Sequence, residues 1–163
     1  MWKDSDDQPA GGMRVTMHHN FFERISLRGP QFLFGKLHFV NNYQFEWFYY
    51  GAGCLGDAEC LSEANVFEPR ARCAYCQDPS PCGDWEWFPD FTQAFVHDWA
   101  SNGLGRLRST GDLLLGGAVV AEREAATVFD PTAHYTFTAE PATAALADRI
   151  RTGTGPRALV CPR

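Results

Sequence analysis

Three asparagines set 22 and 23 residues apart constrain the fold of this chain more than any other feature. The segments around Asn20, Asn42 and Asn65 read VTMHHNFFE, LHFVNNYQF and CLSEANVFE. Each carries an apolar residue five places before the asparagine (Val15, Leu37, Cys60) and an aromatic or β-branched residue just after it (Phe21, Tyr43, Val66). A period near 22 suits one coil of a parallel β-helix, whose short strands stack ~4.8 Å above those of the coil below. Asparagines at one position of successive coils can bond to each other and to the turn backbone, making a ladder inside the bend. The alternation in Val15–Met17 and Leu37–Phe39 suits strands with one face inward. The expected class is therefore all-β, a partial parallel β-helix.

After Glu68 the period breaks. Residues 69–103 hold four prolines, three cysteines and Trp85, Trp87 and Trp99, and read as a long cross-linked excursion. The stretch RLRSTGDLLLGGAVV (106–120) returns to strand character around a Gly-Asp turn, with Asp112 placed 47 residues after Asn65, about two coils on. Residues 121–137 read as an irregular crossing segment. Thr138, Pro141, an Ala/Leu/Ile run to Ile150 and Gly153 then spell one short helix. One domain is expected over 1–163, with coils at about 13–68, the excursion at 69–103, and returning strands plus helix at 104–157.

A net charge of −6 argues against nucleic acid as partner. No run approaches the ~18 apolar residues of a membrane span. Residues 1–12 (MWKDSDDQPAGG) lack the basic start and apolar stretch of a secretory signal, yet six cysteines in a chain this size suit an oxidising compartment. That mismatch suggests that the start of the natural protein is missing.

The first two coils together, VTMHHNFFERISLRGPQFLFGKLHFVNNY (15–43), resemble the signature stretch of the family 1 polysaccharide lyases, the pectate and pectin lyases. The matching elements are Thr16, His18, His19 and Asn20, then Arg28 and Pro30, then Gly35, His38, Asn41 and Asn42. Glu63, Asn65 and Phe67 resemble the following coil, and the likeness extends over roughly 4–157. It implies a right-handed parallel β-helix, secreted and monomeric, that cleaves polygalacturonate or pectin by β-elimination. It also implies bound Ca²⁺, which would let an acidic protein hold a polyanion. The family's main calcium carboxylates lie upstream of anything matched here, so the chain alone is expected to be an incomplete enzyme.

By resemblance, Arg28 is the residue that abstracts the C5 proton, and Pro30 helps to aim its loop. A free arginine, with a pKa above about 12, is a poor base in water, so the role demands a special site. The second arginine usual in pectate lyases is replaced by Leu33, which points toward a calcium-independent pectin lyase; Lys36 is the nearest substitute for binding substrate. His18, His19, Asn20, Pro30, His38, Asn42 and Asn65 are read as structural motif residues. Two adjacent histidines on one strand should face opposite ways and so not share an ion. Asp4, Asp6 and Asp7 read as a solvated acidic stretch.

The cluster CAYCQDPSPC (73–82) with His97 invites a zinc reading, but a single CxxC is weak evidence and disulfides are expected instead. Cys54 and Cys60 form the favoured pair, since both flank one turn of the third coil. Trp47, Trp85, Trp87 and Trp99, with Tyr49 and Tyr50, are read as satellite core ahead of a sugar-stacking surface. A non-catalytic carbohydrate-binding remnant and a zinc-binding interaction module remain as readings from other classes.

Overall fold

Each coil opens with a strand of alternating side chains, turns at a polar residue, and continues in two further short strands. A computed structural model describes residues 12–69, 92–96, 105–120 and 127–154. The first coil consists of β1 (Arg14–His18), β2 (Phe21–Glu23) and β3 (Gln31–Phe32). The second has β4 (Lys36–Val40), β5 (Tyr43–Phe45) and β6 (Ala52–Cys54), and the third β7 (Glu59–Glu63), β8 (Val66–Glu68) and β9 (Gln93–Val96). The fourth has β10 (Arg106–Thr110), β11 (Leu113–Leu114) and β12 (Val119–Val120).

Corresponding strands pair in parallel to give three sheets, each of four strands: β1-β4-β7-β10, β2-β5-β8-β11 and β3-β6-β9-β12. The register puts Val15 on Leu37 on Cys60 on Leu107, one inward column of the core. This is a parallel β-helix. Phe39 sits at its centre, against Phe22, Phe67 and Phe95 at ring separations of 5.8 to 6.4 Å. Trp47 is fully buried and meets Phe67 edge-on, which makes it core and not a sugar platform.

The asparagine ladder is present. Asn42 Oδ1 accepts from the backbone N–H and the side-chain amide of Asn20, both at 2.9 Å. Asn65 Oδ1 does the same for Asn42, at 2.8 and 3.1 Å. Asp112 then does so for Asn65, at 2.7 and 3.1 Å. Asp112 therefore stands one coil above Asn65, not two, because strand β9 returns to the body and the third coil is long. Residue count alone cannot separate one lengthened coil from two ordinary ones. The excursion expected over 69–103 is accordingly interrupted by a core strand, with Ala94 and Phe95 fully buried.

The residue before each ladder position holds a left-handed conformation: His19, Asn41, Ala64 and Gly111 have φ of 54°, 49°, 50° and 66°. That single residue bends the chain from the first sheet into the second.

Two C-terminal pieces cover the outside. Residues 127–143 run over the outer face of the first sheet, with a 3₁₀ turn at Pro131–Ala133. There Tyr135 bonds to His38 and accepts from Thr16 Oγ1 at 2.8 Å, and Asn41 pairs through its amide with the backbone of Glu140. Helix α1 (Ala144–Gly153) starts later than the pattern suggests. Thr143, not Thr138, is its cap, accepting from Leu146 N–H at 3.1 Å. Leu146, Ala147 and Ile150 bury against Tyr43 and Val66 on the outer face of the second sheet. Cys54 and Cys60 are disulfide-bonded, as expected. Cys73, Cys76, Cys82, Cys161, His97, Trp85, Trp87, Trp99 and the three aspartates of residues 4–7 lie outside the described residues.

Candidate active site

The turns that join the second sheet to the third, 24–30 and 46–51, stack on each other as closely as strands do. Phe48 N–H donates to Ile25 O and Tyr49 N–H to Ser26 O, both at 2.9 Å, and Gly29 N–H donates to Gly51 O at 2.8 Å. Since Glu23 pairs with Phe45 and Gln31 with Gly53, an offset of 22 runs unbroken through both turns. Tyr50 thus occupies, one coil up, the place that Arg28 holds below. Gly51 has no room for a side chain on its other flank: a Cβ there would run into the Gln44 side chain and the Ala94 carbonyl.

Arg28 is exposed and has φ of 61°, immediately before a cis Gly29–Pro30 bond. The left-handed backbone turns its side chain out of the stack. Its guanidinium lies beside the Tyr50 phenol, whose O–H donates to Gln31 Oε1 at 3.0 Å. Burial pushes the Tyr50 hydroxyl above its ordinary range, and Arg28 beside it pulls it part of the way back. Tyr50 is 3% exposed, so a buried phenol stands beside a cation that reaches the surface. An aromatic pair, Phe48 and Tyr49, packs edge-on at 4.8 Å two and one residues before it.

The other sequence candidates are distributed elsewhere. Lys36 opens β4 on the first sheet with its ammonium 5.7 Å from the centre of the Phe129 ring, whereas Arg28 lies between the second and third sheets. Leu33 is half-buried between β3 and β4. His38 is 1% exposed and is held between Glu63, 2.8 Å from its Nε2, and Tyr135 at its Nδ1. Desolvation holds His38 below the usual imidazole range although Glu63 opposes the shift. Asn20, Asn42 and Asn65 are ladder residues.

The expectation for His18 and His19 fails. The strand ends at His18, and the left-handed φ of His19 swings both rings to one side, with Nδ1 atoms 3.1 Å apart. Strand alternation cannot be extended through a bend. Sequence reasoning also passed over Tyr135, Glu140 and Gln31, which lie far from their partners in the chain or inside an unremarkable strand, and it read Tyr50 as satellite core ahead of sugar stacking. Calcium meets no suitable donor set: among the described residues no group of three or more His, Cys, Asp or Glu side chains is placed to hold an ion.

The pectate lyase family model matches residues 3–156. Pectate lyase D of Dickeya chrysanthemi is 26% identical over 159 residues, covering 91% of this chain and 36% of that protein. Pectate lyase E of the same organism is 35% identical over 74 residues, covering 39% of this chain and 18% of that protein. Probable pectate lyase A of Aspergillus oryzae is 32% identical over 72 residues, covering 44% and 22%. Among solved structures, a pectate lyase from Acidovorax avenae subsp citrulli superposes with a TM-score of 0.53 at 20% identity, covering 85% of this chain and 31% of that one. That likeness speaks for the β-helix alone. The chain thus spans about a third, or less, of the length of these relatives. With a family model running through all four coils and the C-terminal helix, the chain belongs to the pectate lyase family.

Proposed function

We propose that the whole protein is a secreted, monomeric polysaccharide lyase acting on polygalacturonate, with Arg28 as the base. The observation that carries this reading is the presentation of Arg28: exposed, held in a left-handed backbone conformation before a cis proline, and set beside the buried Tyr50 hydroxyl. In the reaction a guanidine nitrogen of Arg28 takes the C5 proton of a galacturonate unit. The electron pair of that C–H bond forms the C4–C5 double bond, and the C4–O4 bond breaks to release the chain. Tyr50 fixes the direction from which the nitrogen approaches, a positioning role. Ca²⁺, which neutralises substrate carboxylates in this chemistry, would take its ligands from outside the described residues. The Cys54–Cys60 disulfide supports an oxidising compartment.

The test is the ultraviolet absorbance of the unsaturated product from polygalacturonate, compared with methyl-esterified pectin, with and without a chelator. Arg28→Ala is expected to lower kcat by roughly 10²–10⁴-fold. Tyr50→Phe, which leaves the ring and removes the hydroxyl beside Arg28, should lower kcat by about tenfold with little change in KM. Arg28→Ala turning over at the unmodified rate would remove Arg28 from the chemistry.

A further inference from the structure

A second place where reactive side chains converge lies at the bend between the first and second sheets, at the foot of the asparagine ladder. His18 Nδ1 and His19 Nδ1 face each other at 3.1 Å, their ring planes 85° apart. His19 Nε2 is 2.9 Å from Glu140 Oε1. A carboxylate only accepts, so His19 donates from Nε2, and in the neutral ring this leaves the Nδ1 lone pair bare. With His19 neutral, the contact between the two rings has His18 donating from Nδ1. One proton occupies the gap between two imidazole nitrogens.

We propose that His18 and His19 form a binding site for a borderline divalent transition metal, of the Cu²⁺, Ni²⁺ or Zn²⁺ class, which replaces that proton. Metal–imidazole bonds of about 2.0–2.1 Å spanning the observed 3.1 Å enclose an angle of about 100°, between the square-planar and tetrahedral values. His18 is exposed, and once its Nδ1 proton leaves, that nitrogen offers a lone pair to the ion, while the His19 side chain is 34% exposed and anchored at its far nitrogen. The anchoring is that of a metal-binding histidine, whose far nitrogen donates to a carboxylate. Glu140 is itself fixed three ways. Arg149 pairs with its carboxylate, and Asn41 both accepts from its N–H at 2.9 Å and donates to its carbonyl at 2.7 Å. Among the described residues no third ligand joins the pair, so water completes the shell. The hydrophobic wall is Phe137, 6.0 Å from His18.

The site is distinct from the face carrying Arg28, and its test needs no substrate. Free thiols of the whole chain are alkylated and Cu²⁺ is titrated, read by electron paramagnetic resonance and by the thermal midpoint. The expected result is one equivalent bound with nitrogen hyperfine structure from two imidazoles, and a midpoint that rises with free metal. His18→Ala and His19→Ala should each weaken binding by about 100-fold, and Glu140→Gln by about tenfold or more, through loss of the carboxylate that orients His19. If His19→Ala unfolds the bend, His18→Ala decides, since it leaves the His19–Glu140 contact in place. Absence of binding, or His18→Ala binding as tightly as the unmodified chain, overturns the site.

Discussion

Asp112 closes the ladder with a carboxylate where the coils below use an amide. It accepts from Ser62 Oγ at 2.6 Å, Ser109 Oγ at 2.7 Å and twice from Asn65. Burial nevertheless pushes its carboxyl above the ordinary value of 3.8, because four neutral donors do not replace the water lost. A carboxyl with a raised folded pKa contributes stability that is complete below about 3.8 and fades as pH climbs through the folded value. Asp112→Asn removes the ionisable proton, keeps one oxygen for Asn65 and lets both serine hydroxyls turn to accept. The variant is expected to melt higher than the parent at pH 7, with the difference shrinking toward pH 4, as followed by circular dichroism. A variant that melts lower at pH 7 would show that the charge stabilises the cap. Residue chemistry of this kind was half legible: a Gly-Asp turn was plain at 111–112, but its height in the stack was not.

Helix α1 illustrates what an element adds. It has ten residues, too short to persist alone, and owes its order to the apolar stripe Leu146, Ala147 and Ile150 set on Tyr43 and Val66. Leu146→Ala, removing a side chain that is 2% exposed, should cost about 3 kcal/mol and lower the thermal midpoint. A loss under about 1 kcal/mol would mean that the helix sits loosely on the sheet. The helix was readable from its Ala/Leu/Ile run and Gly153. Its start was not, because Thr138 and Thr143 carry the same capping chemistry and only Thr143 is placed where the helix meets the sheet. The crossing segment before it was expected to be irregular, and it is; that it covers His38 and supplies Tyr135 and Glu140 to the first sheet was invisible, since those contacts span 97 and 121 residues.

The whole molecule is a stack, so each coil draws stability mainly from the coils it touches. Strand β4 has partners on both sides and four of its five residues buried; among the described residues β1 pairs only with β4, and its alternate residues are exposed. Hydrogen exchange should therefore be slowest in β4, β5, β7 and β8, and faster in β1, β2 and β10 through β12. Uniform protection across all four coils would contradict a nearest-neighbour stack. The comparison is also a check on the two inner turns, 24–30 and 46–51. Their cross-coil hydrogen bonds should protect Phe48 and Tyr49 as though they were strand residues.

By itself the sequence determined the coil, the ladder and the family. A repeat of apolar and amide positions leaves few ways to bury one set and satisfy the other, and stacking with parallel register does both. It also picked out Arg28 through the family motif and the Cys54–Cys60 pair through proximity in the chain. Tertiary structure alone decided which neighbours those residues acquire. Tyr50 meets Arg28 because two turns keep one offset; His18 and His19 share a side because a left-handed residue ends the strand; and Asp112 caps Asn65 because β9 rejoins the body. Each depends on contacts between residues far apart in sequence, whose geometry no local pattern encodes.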